Sequence, residues 1–332
     1  MHMEKYQIWE EREYTFPNPV KFLPDITAYL HEGEEKRPGI IITPGGGYCC
    51  VSCTEGEIVA KTFYKKGYNT FVLTYTTDVL MKIPLRLQPL KDLSRAIAFI
   101  RKNAHKFHVA ANQIAVCGFS AGGHLSGSLA VHFHEKEILP SGEFQGINNR
   151  PDAVILCYPV ITAGAFSHKD SFIALLGRNA SEDEREYMSV EKHVDTRTPP
   201  LFLWHCETDE IVSAENSLLM EKACRKAGVP VELHLFSHGK HGLSVATEEW
   251  ASGPYTGLYT MRQFFDTLQY QYDHGQEMPF PFEKFDRTEK QDIREIYLQT
   301  VRSLRKKDRP DKAVAMWPEM ADLWLRYIWR RK

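Results

Sequence analysis

The chain has 332 residues, 43% hydrophobic and 12% aromatic, with a formal net charge of −2; it can bury a large core and carries no electrostatic footprint for a nucleic-acid partner. No apolar run approaches the ~20 residues of a membrane span, and the N-terminal residues lack a secretory h-region, so a cytoplasmic protein with no membrane partner is the expectation. The seven cysteines agree with a reducing compartment: Cys117, Cys157 and Cys206 fall in apolar runs, while Cys49, Cys50 and Cys53 have no second Cys/His group at zinc spacing, so no metal is expected.

Residues 6–16 and 25–31 alternate apolar and polar positions around Pro17, Pro19 and Pro24, which predicts edge-type antiparallel strands. Residues 39–43 form a continuous apolar run, the mark of a strand covered on both faces, and end in Pro44-Gly45-Gly46-Gly47-Tyr48. A helix over 57–66 stops at Gly67, a buried strand covers 70–75, and a helix over 87–107 sets Leu90, Leu93, Ile97 and Ile100 on one face. The alternation implies right-handed crossovers and a mostly parallel sheet.

The next apolar run, 114–117, leads into Gly118-Phe119-Ser120-Ala121-Gly122, a G-x-S-x-G pattern between a strand and a helical run. The glycines remove Cβ atoms where the chain reverses, so Ser120 can take a strained conformation with its hydroxyl above the strand end. The helix that follows points its N-terminus, and the amide of Ala121, at the same place. Ser120 is the candidate nucleophile.

Further strands are predicted at 152–158, 201–206 and 231–236, with a helix at 213–228. The polar stretch 162–198 is too long for a simple connection and contains short helical segments at 171–177 and 181–187. Beyond Trp250 only helical segments remain, at about 255–272, 288–307 and 313–329.

A serine needs a base, and the base needs a partner that fixes its tautomer. In parallel sheets such groups collect at the carboxyl ends of strands. After the 201–206 strand come Glu207, Asp209 and Glu210; after the 231–236 strand come His238 and His241. His241 is the expected base with His238 next, and Asp209 is the expected acid with Glu207 and Glu210 as competitors. The order Ser, acid, His is the α/β-hydrolase order. The triple glycine lets backbone N–H groups approach a tetrahedral intermediate; it lacks the lysine of a P-loop and the remainder of a dinucleotide fingerprint. His124, His132 and His134 read as packing or surface residues, since positions two apart do not share a helix face.

Pro-Gly-Gly-Gly-Tyr (44–48), Gly-Phe-Ser-Ala-Gly-Gly-His-Leu (118–125), His-Cys-Glu-Thr-Asp-Glu-Ile-Val (205–212), Ala-Gly-Val-Pro-Val-Glu-Leu-His (227–234) and Gly-Lys-His-Gly-Leu (239–243) together resemble the α/β-hydrolase esterases, in particular the acetyl-esterase and acetylxylan-esterase-like branch. The resemblance covers about residues 5–250 and resumes at 316–324, which is similar to that branch's closing helix. It implies a triad of Ser120, Asp209 and His241, with oxyanion amides from Gly46, Gly47 and Ala121. The chain departs from the lipase-type pattern in having Pro44 where a histidine would stand, and in a segment of about 60 residues before the closing helix.

The expected organisation is an α/β-hydrolase body over 1–252 with a cap segment at 162–198, a helical insertion at 253–311, and a closing helix of the same domain at 312–332. The expected activity is hydrolysis of short-acyl, chiefly acetyl, esters on small molecules or plant-cell-wall oligosaccharides, with no cofactor. A prolyl-oligopeptidase-like peptidase and a non-catalytic hydrolase-fold binding protein are the alternatives. Tyr48 and Phe119 are expected to narrow the acyl pocket. Two readings of the insertion stand open: a packed buttress, or an entrance wall in which Trp250, Tyr255 and Tyr259 stack on a sugar while the second helix joins a homo-oligomer. Thr288 and Gln291 read as a capping box for that second helix.

Overall fold

The strands are β1 (His2–Gln7), β2 (Asp25–Leu30), β3 (Arg37–Thr43), β4 (Asn69–Thr74), β5 (Val109–Phe119), β6 (Ala153–Cys157), β7 (Leu201–Cys206) and β8 (Val231–Phe236). In this computed structural model, which describes residues 1–253, 257–279, 292–305 and 308–330, they form one sheet in the order β1-β2-β4-β3-β5-β6-β7-β8. β1 and β2 are antiparallel to their neighbours, and the other strands pair in parallel. The mostly parallel α/β-hydrolase sheet expected from the sequence is therefore present.

The continuous apolar runs of the central strands follow from burial on both faces. Ile41 joins one core cluster, while Ile40 and Ile42 join the other. The first cluster is covered by α2 (Gln88–Lys102), α3 (Ser120–His132) and α6 (Glu215–Ala227), together with the 162–198 segment. That segment holds α4 (Lys169–Leu176) and α5 (Glu182–Tyr187); Ser181 and Glu184 make a reciprocal capping box at the start of α5. The opposite cluster is covered by α1 (Glu57–Lys65) and, after α7 (Glu248–Ser252), by α10 (Trp317–Arg330).

The N-terminal strand expected over 6–16 runs instead from His2 to Gln7. Two buried polar residues of α2 account for the difference. Trp9 Nε1 donates to Asp92 at 2.8 Å, and Arg95 draws in the Ile8 carbonyl and the Glu13 carboxylate. Satisfying a buried acid and a buried guanidinium takes precedence over extending the sheet edge.

α8 (Arg262–Asp273) begins later than the helix expected from residue 255 and follows a 3-10 turn at Leu258–Met261; Tyr255 lies outside the described residues. Its Phe264, Phe265 and Leu268 pack with Ile293 at the start of α9 (Ile293–Arg305), so these two amphipathic helices bury apolar faces on each other. Asp292 accepts the Arg294 amide at 2.9 Å and that of Glu295 at 3.3 Å; the capping pair Thr288 and Gln291 lies outside the described residues. Among the described residues, no helix is long and apolar enough to cross a membrane.

Candidate active site

Strand β5 passes directly into α3 at Ser120, which has φ +51°. The reversal is tight: a Cβ on Gly118 would stand 2.3 Å from the Gly122 carbonyl oxygen, and a Cβ on Gly122 would stand 2.0 Å from the Thr43 oxygen. Only glycine fits at either place, which is the steric content of the G-x-S-x-G spacing. The left-handed serine costs of order 1–3 kcal/mol and is held by packing on both sides.

Three loops from separate strand ends meet at Ser120. His241 Nε2 lies 2.9 Å from Ser120 Oγ, and His241 Nδ1 lies 2.7 Å from Asp209 Oδ2. Asp209 Oδ1 accepts the amides of Ile211 and Val212, both at 2.9 Å. Burial pushes the Asp209 carboxyl up, but the hydrogen bonds from His205 and His241, the imidazolium charge and the Val212 amide together hold it well below the usual carboxylate range. The competitors are elsewhere. Glu207 and Glu210 are exposed, and the exposed His238 reaches Asp311 at 3.2 Å. Thr208 clips the Asp209 and His241 loops together, accepting the Gly239 amide at 2.9 Å and donating to its carbonyl at 3.0 Å.

The triple-glycine loop runs beside the serine with its carbonyls occupied. Tyr75 donates to Pro44 O at 2.6 Å, Ser52 N–H to Gly45 O at 2.9 Å, Cys49 N–H to Gly46 O at 2.9 Å and Asp78 N–H to Tyr48 O at 3.0 Å. Gly45 N–H is also used. The amides of Gly46 and Gly47 have no hydrogen-bond partner among the described residues, and Ala121 sits in the first turn of α3, where amides lack an intrahelical acceptor. Gly46 needs its φ of +120°, and a Cβ there would stand 2.3 Å from the Cys50 carbonyl oxygen.

The expected substrate-contacting side chains are placed differently. Tyr48 is fully buried and its hydroxyl meets His124 Nδ1 at 2.7 Å; the positive φ of +62° turns the ring into the core. Phe119 is also fully buried, packed on Tyr158 and Trp317, because it ends a central strand covered on both faces. Trp250 is buried in the cluster beneath α10, with Lys240 over its ring. Tyr259 is half-buried and bonds through its hydroxyl to Tyr29 of β2 at 2.7 Å, three strand positions from β5. Tyr48 and Phe119, expected to narrow the acyl pocket, and Trp250, expected at the entrance, are thus buried in core packing, and Tyr259 is tied to β2. Tyr255 lies outside the described residues.

Several residues around the triad carried no sequence signal of their own. Glu55 and Tyr158 sit directly behind it. His205 lies 3.3 Å from Asp209 Oδ2, while its Nδ1 faces Ser217 Oγ at 2.8 Å; a polar residue inside an apolar strand, four before the acid, was the available hint. His168 precedes α4 and meets Ser171 Oγ at 2.8 Å, and Ser171 Oγ stands 3.9 Å from where a Cβ on Gly47 would be. The first turn of α4 therefore overhangs the triple-glycine loop. Burial and then the charge of His241 hold His168 below the ordinary histidine value. His124 and His132 pin the same segment through the Met188 and Tyr187 carbonyls at 2.8 and 3.0 Å, so both are packing residues; His134 is exposed. Among the described residues, no group of three or more His, Cys, Asp or Glu side chains is placed to hold a metal ion.

The BD-FAE family profile matches residues 25–224. The chain is 48% identical over 257 residues to the endo-1,4-beta-xylanase B of Butyrivibrio fibrisolvens, covering 77% of this chain and 40% of that protein. It is 29% identical over 230 residues to the acetylxylan esterase of Xylanibacter ruminicola, covering 67% and 44%. It spans less than half the length of these curated relatives. Among solved structures, the acetyl ester-xyloside bifunctional hydrolase from Caldicellulosiruptor lactoaceticus superposes with a TM-score of 0.69 at 34% identity, over 80% of this chain and 97% of that one. An α/β hydrolase from a Medee basin deep-sea metagenome gives 0.63 at 25% identity, over 99% and 98%.

Proposed function

The chain belongs to the BD-FAE family of α/β-hydrolase esterases, and from that premise we propose that it is a serine carboxylesterase removing acetyl groups from carbohydrate esters of the xylan type. The observation that carries the reading is the continuous contact Ser120 Oγ to His241 Nε2 to Asp209 Oδ2, at 2.9 and 2.7 Å, beside unpartnered backbone amides.

In the first half-reaction Ser120 Oγ attacks the ester carbonyl carbon while His241 Nε2 takes its proton. Asp209 accepts from Nδ1–H, fixing the tautomer and stabilising the imidazolium. The carbonyl oxygen becomes an oxyanion received by the amides of Gly46, Gly47 and Ala121, each such donor being worth about 3 kcal/mol in the transition state. Collapse breaks the bond to the alcohol, which leaves with the proton from Nε2. Water then attacks the acyl-enzyme by the same route, releasing the acid and restoring the serine.

The acetyl preference is supported by the names of the Xylanibacter and Caldicellulosiruptor proteins, since the buried Tyr48 and Phe119 do not shape a pocket. The xylanase name of the Butyrivibrio relative is not carried over: glycosidic cleavage uses paired carboxylates flanking the bond, and this site is built around a serine.

The test is a panel of p-nitrophenyl acetate, butyrate and octanoate together with acetylated xylo-oligosaccharides, reading released acid. Acetates are expected to turn over fastest, and Ser120→Ala to lower kcat by on the order of 10⁴–10⁶. Octanoate outrunning acetate contradicts the acyl assignment; an active Ser120→Ala contradicts the mechanism.

A further inference from the structure

The loop between β3 and α1 carries a carboxylate that the proposed chemistry does not use. Glu55 is 4% exposed. Its Oε2 accepts the Gly45 amide at 2.8 Å, and its Oε1 accepts the Tyr158 hydroxyl at 2.7 Å. That hydroxyl in turn accepts the Ser244 amide at 3.0 Å, just past His241 in the base loop. The Tyr158 ring meets the His241 ring edge-on, with centroids 4.9 Å apart.

Two further features single this chain of bonds out. Tyr158 and Ser244 are both non-glycine residues in the left-handed region, at φ +37° and +50°. Backbone strain of this kind persists only where the surroundings over-determine it. A Cβ on Gly45 would also stand 2.9 Å from both Glu55 Oε2 and Ser120 Cβ. The oxyanion loop, the nucleophile's own carbon and the buried carboxylate therefore converge on one point.

We propose that Glu55 is a positioning residue, which fixes the oxyanion loop and the base loop at a set separation around Ser120 by bonding to Gly45 on one side and, through Tyr158, to Ser244 and His241 on the other. The inference rests on the ester-hydrolysis reading above. A carboxylate suits the position because it offers an acceptor to each of two donors, whereas an amide turns an N–H₂ toward one of them. Burial, reinforced by the negative charge of Glu55, keeps the Tyr158 phenol protonated, so it can donate to Glu55 while accepting from Ser244. A small displacement of the oxyanion amides from where negative charge develops weakens transition-state binding more than substrate binding.

The experiment uses the full chain with p-nitrophenyl acetate and a boronic acid that forms a tetrahedral adduct on a nucleophilic serine. Glu55→Gln, Tyr158→Phe and the double variant are compared, each with a thermal melt. Glu55→Gln is expected to lower kcat about 100-fold with KM within about threefold, and to weaken boronate binding by a similar factor. Tyr158→Phe is expected to lower kcat about tenfold, and the double variant to lose little beyond Glu55→Gln alone, because the two act through one chain of bonds. If Glu55→Gln lowers only the melting temperature and leaves kcat and boronate affinity at wild-type values, the proposal is overturned. Should Glu55→Gln fail to fold, Tyr158→Phe decides alone: a wild-type kcat overturns the proposal. Failure of the underlying reading looks different, with wild-type protein indifferent to the boronate and Ser120→Ala still turning over.

Discussion

The cluster at the strand ends and the helices beyond Trp250 are both rich in aromatic and polar side chains, yet they are built on different terms. Around Ser120 each position is fixed by backbone geometry: two glycines that admit no Cβ, a serine at φ +51°, and carboxylates bonded to named amides. Beyond Trp250 ring-on-ring packing joins the helices to the sheet and to each other. Trp317 stacks on Trp204 with centroids 5.6 Å apart, Trp324 lies against Phe202 at 5.8 Å, and Phe264 and Phe265 enclose Tyr297. The first region admits few substitutions and positions chemistry; the second supplies buried area and covers the sheet. Polar links tie the two together: Trp317 Nε1 donates to the Ser244 carbonyl at 2.8 Å, the Asp311 amide donates to the Ala246 carbonyl at 2.9 Å, and Asp311 meets His238 at 3.2 Å, so the closing segment is bound to the His241 loop.

The largest expected effect lies in the first region. Asp209→Asn is expected to lower kcat/KM by about 10⁴, by presenting His241 in the wrong tautomer. Glu207→Gln and Glu210→Gln, at exposed positions, are expected to stay within about twofold. Comparable losses at Glu207 would erase the distinction between positioned and solvated carboxylates. Next comes Trp324→Ala in the second region, expected to remove about 3–5 kcal/mol of stability in urea unfolding while leaving kcat of the folded enzyme within about twofold. A selective loss of kcat there would show that the helical cover also shapes the site.

A smaller effect is set by pH. Burial pushes His124 down to about 4. Because its folded value lies below its unfolded one, the unfolded chain binds the proton more readily, so stability is full above pH 6.5 and falls as pH drops toward 4, by on the order of 3 kcal/mol. Asp92, pushed up to about 6 by burial, slopes the opposite way. The readout is therefore the difference between wild type and His124→Gln across that window; two parallel curves contradict a neutral, buried His124. The smallest effect is Tyr259→Phe, which deletes the hydrogen bond to Tyr29. About 1 kcal/mol of stability and no change in KM for an acetylated oligosaccharide are expected; a raised KM would return Tyr259 to the entrance.

The contrast explains what could be read in the sequence. The elbow, the parallel sheet and the gathering of Ser120, Asp209 and His241 at strand ends follow from rules about turns and strand order that are local or topological. What escaped depends on which way a side chain faces after docking. Tyr48 and Phe119 adjoin the triple glycine and Ser120 in sequence, yet a positive φ turns one into the core and a strand covered on both faces buries the other. Helical periodicity marks an apolar face on each of the two helices beyond Trp250 but leaves open whether those faces meet each other, the hydrolase body or a second subunit, because Ile293 offers its partner the same hydrophobicity as any other surface. Glu55 was invisible for a different reason: a single acid in a loop has no period, and only the fold brings it to Gly45 and Tyr158.

The most direct test of the central claim is to find the covalent intermediate. Rapid acid quench of the protein turning over p-nitrophenyl acetate, followed by peptide mass spectrometry, is expected to show one acetyl group on the peptide carrying Ser120, absent from Ser120→Ala and depleted in Asp209→Asn. Turnover with no adduct at Ser120, or with the acetyl group on another residue, would contradict the account.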